Sequence, residues 1–228
     1  MMHELSNPAW ESLCSRQKQF NQGDEEVRFY PENVSPFIAL KNWDEQDIQT
    51  LIERELPDRS FSMVVEKQVQ LPPSFDIIFA IPLYQMVCTD LKRSTKNGVE
   101  IQNLSYDHVP QMLELTAMTR PGPFYERTID FGNYIGIFEK EKLVAMAGER
   151  MKLSGYTEVS AICTHPDHLG KGYASMLFSK ASERIVDEGN KPFLHVKKDN
   201  AGAIRIYEKF GYNIRSEMFF TVFKKKSS

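Results

Sequence analysis

Three cysteines, Cys14, Cys88 and Cys163, are all that a chain of 228 residues carries. Odd in number and far apart, they argue against a disulfide framework and against a metal cluster, and they fit a reducing cytoplasm. Long apolar runs are also missing: none approaches the roughly 18 residues that a membrane helix needs. The N-terminus lacks the basic and apolar pattern of a signal segment. No positive excess exists either, the formal net charge being −3, so nothing electrostatic points to nucleic acid. Repeats of solenoid period are absent, and the one biased segment, Lys224-Lys225-Lys226, reads as a solvated end. The expectation is a globular cytoplasmic protein with no membrane, nucleic-acid or metal partner, its oligomeric state open.

What is present centres on Cys163-Thr164-His165-Pro166-Asp167-His168-Leu169-Gly170-Lys171-Gly172-Tyr173-Ala174. The apolar run Val159 to Cys163 reads as a buried strand, Gly170 and Gly172 sit in a loop, and a helix-periodic stretch opens at Tyr173. A strand, a glycine loop and a helix N-terminus leave several N–H groups pointing one way with the helix dipole behind them. That is a cradle for a pyrophosphate.

Upstream, the first half carries no catalytic constellation. A short amphipathic helix is expected before Pro31, and a second from Asp44 to Leu56 with Ile48, Leu51 and Ile52 on one face and Pro57 as the stop. Strands are expected at Phe61 to Val65 and Phe75 to Ile81, with a third at Tyr84 to Cys88. The polar stretch Leu91 to Gly98 reads as a linker, which divides the chain into an N-terminal α/β unit, 1–95, and a second unit, 96–228. In the second, Val99 to Leu104 is a strand and Val109 to Thr119 a helix. Arg120-Pro121-Gly122-Pro123-Phe124 is a stiff turn, either a connector or the rim of a substrate mouth. A hairpin of Tyr134 to Phe138 and Leu143 to Leu153 follows, then a strand Thr157 to Thr164 and the helix from Tyr173 with Leu177, Phe178, Ala181 and Ile185 inside. Phe193 to Val196 is a buried strand. Asn200 caps a helix to Phe210 with Ala203, Ile206, Tyr207 and Phe210 as its inner stripe, and Tyr212 to Ile214 and Met218 to Phe223 close as a hairpin.

Leu169-Gly170-Lys171-Gly172-Tyr173-Ala174 resembles the acetyl-CoA loop of the GNAT-type N-acetyltransferases, Gln/Arg-x-x-Gly-x-Gly/Ala, with Leu169 in place of the usual polar first residue. Asn200, Ala203, Tyr207-Glu208 and Gly211-Tyr212, following the strand around His195, resemble that family's second signature. The resemblance covers about half the chain, from Val99 onward. It implies an α/β fold with a mixed (α+β) sheet, whose central parallel strands, here Val159 to Thr164 and Phe193 to Val196, splay apart to admit the pantetheine arm of acetyl-CoA. It further implies cofactor contacts from the main chain of Ile162, Cys163 and Thr164, from Leu169 to Ala174, and from Asn200, Ala203 and Tyr207. The N-terminal unit has no such match; in some relatives it is a degenerate second copy of the fold.

Acetyl transfer to an amine needs a neutral amine, a polarised carbonyl and a proton for the leaving thiolate. A lysine amine is neutral about once in two thousand at pH 7 and an α-amino group roughly one time in six, so a base matters more for lysine. Glu158 resembles the base glutamate of histone-type members; Glu149 competes, because the small apolar face it shares with Ala145 and Ala147 would raise its pKa. His195 is a further candidate, pointing from the splayed strand. Tyr207 takes the family's general-acid position near the cofactor sulfur. His165-Pro166-Asp167-His168 does not make a metal site, since Pro166 breaks helical pairing and no third ligand is near. Cys163 has no basic neighbour in sequence and reads as a small buried residue rather than a nucleophile. The expected activity is direct acetyl transfer from acetyl-CoA to an unidentified amine acceptor, with a catalytically silent acyl-CoA-binding module as the alternative.

Overall fold

A computed structural model describes residues 3–93 and 98–226. The expected linker therefore falls in part, at 94–97, outside the described residues, and so does the expected boundary at 95. In chain order the elements are α1 (Pro8–Cys14), β1 (Val27–Phe29), β2 (Ile38–Leu40), α2 (Glu45–Glu53), β3 (Ser60–Val65), β4 (Phe75–Cys88) and β5 (Gln102–Asn103). Then come α3 (Val109–Thr119), β6 (Ile135–Glu139), β7 (Lys142–Leu153), β8 (Tyr156–Thr164), α4 (Tyr173–Asp187), β9 (Lys191–Lys197), α5 (Ala201–Lys209) and β10 (Tyr212–Lys225).

Eight strands form one mixed sheet in the order β3-β10-β4-β9-β8-β7-β6-β5. Strands β3 and β4 from the first half thus pair with β10 and β9 from the second, and β4 lies between them. The sheet does not divide where the sequence composition does. Apolar side chains from α4 and α5, among them Leu177, Phe178 and Ala203, together with Phe210 just after α5, cover one face by packing on Val159, Leu194 and Val196. On the other face α1 packs on Met151, Leu153, Phe193 and Met218, and α3 packs on Met146, Ala161 and Cys163. Burying both faces is what lets β8 and β9 read as continuous apolar runs.

Several expected boundaries shift for local reasons. The runs Phe75 to Ile81 and Tyr84 to Cys88 are a single strand, because Pro82, which has no N–H, lies just before the segment that pairs with β9. The closing hairpin is also a single strand, β10, whose register slips between Ile214 and Ser216, turning Arg215 out of the ladder. Val99 to Leu104 shortens to the two residues of β5. In α5, Ile204 packs inward beside Ala203 and Tyr207, whereas the expected Ile206 is 38% exposed. Helix α2 starts as expected, with Asp44 accepting from the Asp47 N–H.

The feature that positions the site is the pair β8 and β9. Their parallel ladder runs only from Tyr156 and Lys191 to Glu158 and Phe193. Beyond it β8 stays with β7 and β9 stays with β4, so the two strands diverge. Ala161, held at φ 53° within a register slip against β7, bends β8 at this point.

Candidate active site

The divergence opens a cleft of about 660 Å³, lined by Ile162, Cys163 and Thr164 on β8, by His195, Val196 and Lys197 on β9, and by Asn200 and Tyr207. The Arg120 to Pro123 turn forms part of its rim. Its floor is apolar: Phe79, Ile81 and Leu83 alternate along β4, with Phe220 and Val222 beside them on β10. Thus the N-terminal half supplies one wall.

The side of β8 that lost its partner beyond Glu158 leaves main-chain groups of Ile162 to Thr164 open toward the cleft, where an extended amide-containing chain can add like a strand. Thr164 Oγ1 is buried there with no partner. Further on, Gly170 and Gly172 sit at φ 80° and 81°, and a Cβ built on either would meet nothing within 4 Å. Only a residue without a Cβ holds this conformation at little cost, and the space over both is open. Gly172 is the N-cap of α4 and offers no side-chain acceptor, so the first-turn N–H groups stay available to an anion. Lys171 and Tyr173 both donate to Glu139, Lys171 at 2.7 Å, and Leu169 is 67% exposed. Together with its open strand edge and its cleft, this loop fits a long thiol ester carrying a pyrophosphate. Asn200 accepts from Ala203 N–H at 3.1 Å, which fixes the start of α5. Tyr207 then lies two turns on, with its ring 4.7 Å from that of Phe178, and burial pushes its phenol up to about 12.

The base candidates fare differently. Glu158 has no exposure, and each carboxylate oxygen accepts twice. Oε1 receives Arg150 Nη2 at 2.5 Å and His195 Nδ1 at 2.7 Å; Oε2 receives Arg150 Nε at 2.8 Å and the Met151 N–H at 3.4 Å. Burial pushes this carboxyl up, but the Arg150 guanidinium foremost, with His195 beside it, overrides burial and holds it at about 2. With both oxygens engaged by two donors each and its charge held by Arg150, such a group is a poor base. Glu158 is therefore an anchor for Arg150 and His195, not the expected base. Glu149 is also fully buried; Asn133 donates to both of its oxygens and Lys152 pairs with it at 2.6 Å, so its face is not the unpartnered apolar one expected, and it does not line the cleft.

His195 lines the cleft with both ring nitrogens taken. Gln85 has Oε1 on Arg215 Nε, an obligate donor, and Nε2 on the Leu5 carbonyl at 2.9 Å, an obligate acceptor. These two partners set the amide orientation, so the NH₂ also faces His195 Nε2, at 3.0 Å. That leaves the lone pair on Nε2 and the proton on Nδ1, donated to Glu158. The sequence reading missed Arg150 and Gln85. Arg150 carried a signal, since it and Glu158 have opposite charge on two strands joined by a tight hairpin. Gln85 had none, because its pairing with His195 joins residues 110 apart. Cys163 is buried, with its thiol pushed up to about 11 by burial, which suits packing and not attack. Among the described residues no group of three or more His, Cys, Asp or Glu could hold a metal, and no helix is long and apolar enough to cross a membrane.

The geometry can now be set beside known proteins. A GNAT-family protein of Novosphingobium aromaticivorans DSM 12444, known from its crystal structure, is 32% identical, with a TM-score of 0.90 over 99% of this chain and 100% of that one. The chain belongs to the GNAT family. Residues 134–221 match the model of the FR47-like protein family. The uncharacterized N-acetyltransferase YobR of Bacillus subtilis (strain 168) is 28% identical over 99 residues, 43% of this chain and 40% of that protein. A GCN5-related N-acetyltransferase from Kribbella flavida shares the fold, with a TM-score of 0.59 at 16% identity over 96% of this chain and 93% of that one. GNAT membership accounts for the mixed sheet. The family generally uses acetyl-CoA as its acyl donor, which fits the open edge and glycine loop described above.

Proposed function

We propose that this chain is an N-acetyltransferase that moves the acetyl group of acetyl-CoA directly to an amine, with Tyr207 as the general acid. The carrying observation is that Tyr207 and the unpaired edge of Ile162, Cys163 and Thr164 border one cleft. Bound acetyl-CoA supplies the activated thioester. Leu169 to Ala174 hold its pyrophosphate through N–H groups, Ile162 to Thr164 hold its amide arm, and Asn200 and Ala203 shape the α5 side.

In transfer, the C–N bond forms as the C–S bond breaks; the Tyr207 hydroxyl donates its hydrogen bond and then its proton to the leaving sulfur, and the proton lost by the acylated nitrogen returns through solvent to the phenolate, so that no charge accumulates on Tyr207. A phenol held at about 12 stays protonated at neutral pH, yet can donate a hydrogen bond to a thiolate near 8.5 as charge develops. Among the described residues no carboxylate lines the cleft, and both nitrogens of His195 are occupied, so the acceptor enters as its free amine.

The same occupied nitrogens favour the second reading, a silent acyl-CoA-binding module. Release of free CoA thiol in the presence of a panel of amines, beside calorimetry with acetyl-CoA, separates the two. Tight acetyl-CoA binding with no amine-dependent release supports the silent module; absence of binding removes both.

A further inference from the structure

The cleft is one-sided in charge. Among its described lining residues there is no Asp or Glu, while Arg120, Arg150 and Lys197 all reach it. Arg150 is balanced by Glu158. Arg120 and Lys197 have no acidic partner among the described residues, and each is held in place by the fold. Lys197 follows Phe193 and His195 at the strand period of two, and it pairs with Leu83, so it stands at the border of the apolar floor. Arg120 ends α3 in a left-handed conformation, φ 49° and ψ 55°, directly before Pro121, a position where proline already restricts the backbone. The turn it starts packs against the centre of the site, a Cβ on Gly122 falling 3.7 Å from Arg150 Nη1.

An acceptor with several ammonium groups would bring positive charge into a site without counter-charge and lay it on Phe79, Ile81, Leu83, Phe220 and Val222. An acceptor with an apolar body and one anionic group meets the opposite situation. Its body covers the floor, its anion meets Lys197 and Arg120, and the same cations disfavour the charged form of its amine. Resting on the acetyl-transfer reading above, we infer that the acceptor is a hydrophobic amino acid with a free carboxylate, and not a polyamine, an aminosugar or a lysine side chain in a basic peptide. No residue from Leu169 to Ala174 is among the cleft's described lining residues, so the loop that would hold the cofactor's phosphates stands apart from these two cations.

The test compares L-leucine and L-phenylalanine with their amides, which keep the body and the amine and lose the anion, and with spermidine and glucosamine. CoA release is the readout. Two charge-assisted contacts predict kcat/KM for the acids about 10- to 100-fold above that for the amides. Lys197→Gln and Arg120→Gln should erode this preference through KM of the acid, with thermal unfolding unchanged because both side chains lie at the surface. Amides used as well as acids, or spermidine or glucosamine preferred, would overturn the inference while leaving acetyl transfer standing. If wild-type protein fails to bind acetyl-CoA by calorimetry, the transfer reading falls first and this inference with it.

Discussion

Replacing Glu158 by glutamine tests whether this carboxylate is an anchor or a base. In the folded protein its two oxygens accept from four donors: two nitrogens of Arg150, His195 Nδ1 and the Met151 N–H. An amide offers one oxygen and one NH₂, so either orientation turns an NH₂ toward two donors. Its partners hold the carboxyl at about 2 against its ordinary 4.5, a difference worth on the order of 3–4 kcal/mol at about 1.4 kcal/mol per unit. Removing one partner of a buried pair costs a similar amount, about 3–5 kcal/mol. For a chain of this length each kcal/mol moves Tm by about 2–4 °C, so Glu158→Gln should melt about 6–16 °C lower at pH 7. The sign with pH follows from the depressed value: the stability is complete above the unfolded 4.5 and is lost as pH falls from there toward 2. Wild type and variant should therefore converge as the pH is lowered through that window. Glu66 is also held near 2, by Ser216, Ser6 and Arg215 against the opposing effect of burial, but it is present in both proteins and cancels in the difference. Differential scanning calorimetry at a series of pH values from 7 to 3 gives the comparison. A Tm within about 2 °C of wild type at pH 7, or a gap that does not narrow on acidification, would refute the anchor role.

Tyr207→Phe keeps the ring on Phe178 and removes the hydroxyl, so turnover should fall about 10²-fold with acetyl-CoA affinity unchanged; equal turnover under chemistry-limited conditions would reduce Tyr207 to packing. Gly170→Glu places a side chain and a negative charge at φ 80° over the open space of the loop, and calorimetric affinity for acetyl-CoA should drop at least tenfold. An affinity equal to wild type would move the pyrophosphate site elsewhere. Gln85→Glu puts an acceptor where an NH₂ now faces His195 Nε2, which should draw a proton onto that nitrogen and change the ¹⁵N shifts of the ring at pH 7. Unaltered shifts would mean that Gln85 does not set the tautomer.

What the sequence made legible was local. The Gly170 and Gly172 turn, the Asn200 cap and the two-turn step from it to Tyr207 are short-range, and each is dictated by which conformations a few consecutive residues can hold. Pairing between distant strands left no such trace. The composition change near residue 95 suggested two units, yet β4 of the first half runs between β9 and β10 of the second, and periodicity along β4 says nothing about its neighbours. The same limit explains the misplaced base. As a residue in a strand Glu158 has the right spacing from the glycine loop, and only the arrival of Arg150 from β7 and of His195 from β9 turns it from a proton acceptor into a fixed charge. Those three side chains touch because β8 and β9 pair only as far as Glu158 and Phe193. The last rung of the ladder thus carries the ion pair, and farther along the unpaired edge Ile162 to Thr164 line the cleft. A polar cluster at the apex of the divergence ties the strands together where the ladder stops; without it, the edge at Ile162 to Thr164 would lose its fixed spacing from Tyr207, the geometry that the proposed transfer needs.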